Sequence, residues 1–382
     1  MSPPFATAQQ TNFALGDHQK PPFTYERRLP ELGVLHKVVR ENLATFLEIC
    51  DNQKGGLPKY IKEEFEDFLE CGILAHGFLR LRCEDCHHEK LVAFSCRHRG
   101  FCPSCCGKRQ ALTTAFVLDE VLPIVPIRQY VLSFPFAVRF VLATRPKVMT
   151  AVLQIVNRHI HKFLVTKFAI HNETEFESGQ VSFIQRWGSA LNLNCHFHIL
   201  VPEGLWSKVA ISNTPTFNAL PEAPNNEDIA HLVTVIAKKV NRYLQKRGLI
   251  KTPNDAADMD DPTLMDTLLG ASVKSLISIG DRAGQKVRRL GTLHHMDFEF
   301  HIKGTRCVAI DGYSLHANTF CDVHERAKLE RLVGYVARPP LAEGRLSIRQ
   351  NGDVTYKLKN PYQDGTTHVI FTPIEFLEKL AA

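Results

Sequence analysis

Residues 83–106, CEDCHHEKLVAFSCRHRGFCPSCC, hold six of the chain's eleven cysteines. No other stretch restricts the fold as strongly. Cys83 with Cys86 and Cys102 with Cys105 form two C-x-x-C pairs separated by fifteen residues. Together they offer four thiolates to a tetrahedral ion, and the residues between them can fold back as a small hairpin. Four protein ligands leave no position for water, so a zinc ion bound here is structural and holds together a knuckle too small to have its own core. Cys96, His98 and Cys106 are spare ligands nearby. Free buried cysteines and a redox dithiol are the alternatives, but paired C-x-x-C spacing rarely arises from packing alone, and no thioredoxin-like pattern surrounds either pair. Disulfides are disfavoured because the first 24 residues lack the form of an export signal.

At 382 residues the chain is long enough for two domains. Its net charge of +6 is mild, so any basic character must be local. It is local in 97–109, 282–289 and 331–359, whereas 252–262 is acidic. Arg97, Arg99, Lys108 and Arg109 around the knuckle suit contact with phosphate, as do Lys286, Arg288 and Arg289. A solvated basic face is the plainer reading. No run reaches the roughly 18 uncharged apolar residues a membrane span requires, and the expectation is a soluble, cytoplasmic protein.

Apolar periodicity predicts helices over 31–49, 59–70 and 108–122. From 127 a β-rich stretch, IRQYVLSFPFAV, leads to a long helix over 146–169. Strands over 181–186 and 193–201 are joined as a hairpin through GSALN. Helices follow over 228–247 and 263–275, then strands over 296–302 and 305–310 and a helix over 323–338. In SIRQNGDVTYKLK, Asn351-Gly352 suits a tight hairpin turn. The outline is α+β: a disordered 1–24, a helical and zinc-ribbon-like DNA-binding domain over 25–122, and a domain over 123–382 with an antiparallel sheet and flanking helices.

Within LNLNCHFHILVPEG, residues 191–204, strand alternation puts Leu193, Cys195, Phe197, Ile199 and Val201 on one face. Asn192, Asn194, His196 and His198 take the other. Neutral imidazoles at i and i+2 can hold one divalent ion side by side. A satisfied core pair is the bland alternative. A third alternating histidine is missing, since position 200 is Leu, and no His-x-Asp suggests an iron oxygenase. Further along, in ERAKLERLVGYVARPP, Leu329, Leu332, Val333 and Val336 form an apolar stripe ended by Pro339-Pro340. At about 100° per residue, Tyr335 falls off that stripe on the side of Arg331 and Arg338. Such a surface suits a phosphate held by guanidinium groups while a phenol attacks it. An exposed tyrosine beside solvated arginines is the alternative.

Two histidines flanking a bulky hydrophobe in HFHILV, followed by a tyrosine on a later helix, resemble the HUH endonuclease superfamily. More closely, the chain resembles the rolling-circle insertion-sequence transposases of the "ninety-one" group. FSCRHRGFCPSCCGKR followed by EVLPIVPIRQYVLSFPFAVRFVLA is similar to their zinc-binding front domain. QRWGSALNLNCHFHILVPEG, LERLVGYVARPPLAEGRL and KNPYQDGTTHVIFTPIEFLEKL are similar to their nuclease domain. The likeness covers roughly 75 to 382. It implies His196 and His198 as ligands of a catalytic Mg²⁺ or Mn²⁺ and Tyr335 as nucleophile. Positions 331 and 339 are Arg and Pro, so the chain resembles a single-tyrosine variant. Members usually run on past the LEKLAA-like segment into a further basic stretch, which this sequence lacks.

The implied activity is nicking and rejoining of single-stranded DNA at transposon ends through a 5′-phosphotyrosine, with no nucleotide cofactor. Two histidines rarely complete an ion's shell, and Gln185, His301 and Glu299 are candidates for a third ligand. A plasmid or phage replication initiator and a zinc-dependent DNA-binding protein without nuclease activity are the competing readings.

Overall fold

The computed structural model describes residues 29–168, 176–207, 215–250, 262–291, 304–362 and 364–382. The first 24 residues, most of the acidic stretch over 252–262, the strand expected over 296–302, and His301 and Glu299 lie outside them.

The fold is mixed α+β. At its centre is an antiparallel sheet in the spatial order Cys307–Ile310, Tyr313–His316, Ile127–Ser133, Leu193–Pro202, Val181–Trp187, with the short strand Phe320–Cys321 also paired to Ile127–Ser133. The histidine strand, Leu193–Pro202, is therefore interior, with Gln185 opposite His196 on one side and Val131 opposite His198 on the other. Its apolar face is closed off, Leu193, Cys195, Phe197, Ile199 and Val201 each being at most 1% exposed. Helices Phe136–Thr144 and Leu264–Val273 pack against that strand.

The other face carries His196, His198 and, two residues on, Leu200. Leu200 joins Ile127, Val117, Leu118, Leu329 and Val333 in a small second core. This cluster is why the helix Arg326–Val336 lies where it does. The apolar stripe read from the sequence buries Leu329, Val333 and Val336, with Leu332 half-buried. A helix that seats Val333 over Leu200 carries Tyr335 back toward the histidines, because strand residues two apart share a face.

The expected β-rich stretch ends earlier than its composition suggests. The strand stops at Ser133, and Pro135 in extended conformation opens the helix Phe136–Thr144. The spacing of Val138, Val141 and Leu142, all buried, is helical. The helix expected over 108–122 begins sooner, at Pro103, and passes at Val117 into one wider π-helical stretch ending at Val121. Proline at the first helical position needs no hydrogen bond there.

The closing hairpin pairs Leu346–Ile348 with Val354–Lys357, and Gly352 takes the left-handed backbone (φ 84°) its turn requires. Thr366–Phe371 and Arg288–Gly291 extend it to four strands. A capping box between Thr372 and Glu375 then starts the last helix, Pro373–Ala381, which packs on the first, Val34–Asp51. The apolar core is consequently continuous across residues 122 and 123: Leu35, Phe46 and Phe65 share it with Leu132, Phe197 and Phe376.

Candidate metal centre, tyrosine helix and nucleic-acid groove

The four sulfurs that converge belong to Cys71, Cys96, Cys102 and Cys105, all within 4.8 Å of one another. The individual separations are 3.7 Å for Cys71–Cys105, 3.5 Å for Cys96–Cys105 and 3.6 Å for Cys102–Cys71. A tetrahedron with about 2.3 Å from centre to sulfur has edges of about 3.8 Å, so this is a cage of the size that zinc fills. The backbone N–H of Cys96 also donates to the Cys71 sulfur at 3.3 Å.

The expected ligand set is thus corrected at two positions. Cys102 and Cys105 belong to the cage, whereas Cys83 and Cys86 do not. They sit exposed at the tip of the hairpin formed by Phe78–Arg82 and Glu89–Ala93. The two arms of that hairpin run away from the cage, and their far ends return Cys71 and Cys96 to it. Neither Cys71 nor Cys96 belongs to a C-x-x-C pair. Of the spare ligands, His98 donates from Nε2–H to the Asp67 carboxylate at 2.7 Å, and Cys106 donates to the carbonyl of Gly100.

The cage supports the N-terminus of the helix Pro103–Phe116, and that helix reaches the tyrosine helix. Gln110 donates from Nε2 to the carbonyl oxygen of Gly334 at 2.6 Å. From the sheet, Gln185 donates from Nε2 to the carbonyl of Val336 at 2.8 Å. Arg326, at the helix start, donates to the Leu118 carbonyl and lies 3.3 Å from Asp119.

The tyrosine and the histidines come together. His196 and His198 have ring centroids 5.0 Å apart, and Tyr335 meets His198 edge-on with centroids 6.1 Å apart. Arg338 stands over the Tyr335 ring at 4.3 Å and Lys359 at 4.4 Å. Arg331 is exposed one turn earlier, and its charge is felt at Cys321 and Lys328. The second cation over the ring is therefore Lys359, which lies 24 residues beyond Tyr335 in a different element and was missed from the sequence.

Both imidazoles are held neutral. Burial, and then the charge of its neighbours, pushes His198 down to about 3; burial also lowers His196. The Nδ1–H of His196 donates to the carbonyl oxygen of Asn194 at 2.6 Å, which leaves the lone pair on Nε2. His198 Nδ1 lies 2.8 Å from Nε2 of the Gln129 carboxamide; with that amide turned over, its oxygen accepts from Nδ1–H and the lone pair falls on His198 Nε2, as in His196. Its Nε2 is buried without a hydrogen-bond partner among the described residues. An orphaned imidazole nitrogen beside a second imidazole fits a divalent ion. Gln185, opposite His196, has its amide nitrogen engaged at Val336, so its oxygen is the atom left to face such an ion.

The other expected contacts are dispersed. Arg288 pairs with Asp353 at 3.0 Å and Arg289 with Asp364 at 3.1 Å, and Lys286 is exposed. Arg97 and Lys108 are exposed beside the cage, and Arg109 donates to the Arg97 carbonyl. Arg99 and Arg109 do line a groove, of about 570 Å³, that runs between the cage helix and the edge strand Val181–Trp187 as far as Arg338 and Lys359. No helix among the described residues is long and apolar enough to cross a membrane.

Residues 39–134 match the family described as "Transposase zinc-binding domain", and residues 179–382 match the family described as "Putative transposase". No curated protein and no solved structure matches the chain.

Proposed function

The chain belongs to the IS91-type transposase family, and from that premise we propose that it nicks and rejoins single-stranded DNA with Tyr335 as the nucleophile. The observation that carries the reading is the meeting of Tyr335 with His198, an imidazole whose buried Nε2 has no hydrogen-bond partner among the described residues.

His196 and His198 would hold Mg²⁺ or Mn²⁺, with Gln185 Oε1 as a third ligand. Such an ion, when bound, polarises a nonbridging phosphate oxygen. The protein's own groups do the rest. Arg338 and Lys359 stand where they can neutralise the phosphate and favour the phenolate over the phenol. The Tyr335 oxygen forms a bond to phosphorus, and the bond from phosphorus to the 3′-oxygen breaks. The phenolic proton leaves through solvent, and the departing 3′-oxygen takes one up. One phosphodiester is exchanged for another, so rejoining runs the same steps backward without ATP. Gln110 and Gln185 hold the helix, and hence the phenol, at the distance this exchange needs.

The zinc-loaded protein and its Tyr335→Phe variant are incubated with a labelled hairpin oligonucleotide and Mn²⁺, then denatured and separated by gel. A covalent protein–DNA band from the wild type alone is expected. Bands of equal intensity would remove Tyr335 from its role. If neither protein gives a band, the reading of a DNA-binding protein without nuclease activity gains.

A further inference from the structure

The groove between the cage helix and the sheet edge has an unusual lining. It holds six cations, Arg99, Arg109, Arg186, Arg338, Arg345 and Lys359, and no carboxylate. None of the six makes an ion pair among the described residues, whereas Arg288 and Arg289 of the second basic cluster are both so paired. Arg186 turns its guanidinium to the Ala143 carbonyl at 3.3 Å, on the apolar side of the sheet near Cys195; the other five, gathered along one cleft without counter-charges, repel each other, and an anion relieves that cost. Arg338 and Lys359 belong both to the groove and to the surroundings of the Tyr335 ring, so the groove opens onto the tyrosine.

The groove also contains Trp187, half-buried at the end of the edge strand. The chain has two tryptophans. Trp206 packs against Phe217 in a tilted pair with ring centroids 4.9 Å apart, whereas Trp187 has no aromatic partner among the described residues. An indole without a stacking partner in a cleft of unpaired cations provides both contacts that a single strand requires: a face for a base and charges for its phosphates. At about 570 Å³ the cleft has the volume of a small-ligand site, enough for a base beside its phosphate.

We propose that this groove holds the single-stranded DNA flanking the scissile phosphate, with Trp187 stacked on a base and Arg345 and Lys359 against the backbone. The assignment rests on the nuclease reading for the nature of the DNA but makes a separate physical claim about where the strand lies. It gives the zinc module a share in substrate binding through Arg99 and Arg109, on the opposite wall from Trp187.

The test uses the full-length zinc-loaded protein without added Mg²⁺ or Mn²⁺, so that binding is read without cutting. A short oligothymidine is titrated in while tryptophan emission is followed. Quenching is expected in the wild type and in Trp206→Phe, and is expected to disappear in Trp187→Phe. Trp187→Ala should weaken binding by about tenfold. Arg345→Ala should flatten the log–log salt dependence by about 0.7, with Arg345→Lys retaining it. Quenching that persists in Trp187→Phe, an unchanged salt slope in Arg345→Ala, or equal quenching by duplex DNA of the same length would each overturn the proposal. The two readings fail separately. A normal covalent adduct with a silent Trp187 removes the groove and keeps the nuclease, and a responsive Trp187 with no adduct does the reverse.

Discussion

Gln110, on the helix that leaves the cysteine cage, donates to the main-chain carbonyl of Gly334, the residue before the proposed nucleophile. The zinc module and the tyrosine helix are therefore joined by a direct bond across 224 residues of sequence. Gln110→Ala should cost about 1 kcal/mol of stability. Its effect on adduct formation should exceed that, because Tyr335 would lose one of two anchors. Adduct yield in Gln110→Ala equal to the wild type, with Gln185→Ala also silent, would show that the clamp has no part in the chemistry.

Zinc content separates the two cysteine groups. Metal analysis should give one zinc per chain, lost in Cys71→Ser and Cys96→Ser and kept in Cys83→Ser and Cys86→Ser. Removal of a structural zinc forfeits on the order of ten kcal/mol of binding energy that is also folding energy. The Cys71 variant should therefore show a much lowered thermal transition. Loss of zinc on changing Cys83, with Cys71 indifferent, would restore the ligand set read from the paired C-x-x-C spacing.

That ligand set illustrates which parts of the molecule were legible in the sequence. The alternation from Leu193 to Val201, the stripe Leu329, Val333 and Val336, and the turn at Asn351-Gly352 are local patterns, and the structure carries all three. The cage is not local. Its ligands are chosen by a hairpin whose ends, not its tip, return to the metal, so Cys71 and Cys96 replace the more conspicuous Cys83 and Cys86. Lys359, Gln110 and Gln129 were illegible for the same reason: each lies in a different part of the chain, Lys359 in the bend after Val354–Lys357, and acquires meaning only by packing. The sequence IRQYVLSFPFAV misled because its Val and Phe suit either structure, and Pro135 decided between them.

Gln129 offers a further test of the histidine centre. A partner on Nδ1 fixes the tautomer and the ring plane, and losing it typically costs ten- to hundredfold in metal affinity. Gln129→Leu should therefore weaken Mn²⁺ binding by roughly that factor, read by titration with the manganese spin signal of the zinc-loaded protein. Wild-type affinity in the variant would detach Gln129 from any role in orienting His198.

The buried imidazoles also make the fold sensitive to acid. Their folded values lie below the ordinary 6.5, with His198 near 3. Between those limits the unfolded chain takes up protons that the folded one refuses. The stability linked to these groups is full above about pH 6.5 and is lost as pH falls toward 3. Without divalent ions, the urea midpoint should drop more steeply from pH 7 to pH 4.5 in the wild type than in His198→Gln. Parallel curves would mean that His198 ionises freely in the folded protein.

Both glutamine anchors grip carbonyl oxygens of the peptide backbone, at Gly334 and Val336, and ignore the side chains those residues carry. A latch of that kind is blind to composition. Substitutions along the outward surface of the helix can accumulate without shifting the phenol, so the surface can be retuned while the position of the proposed nucleophile stays constant.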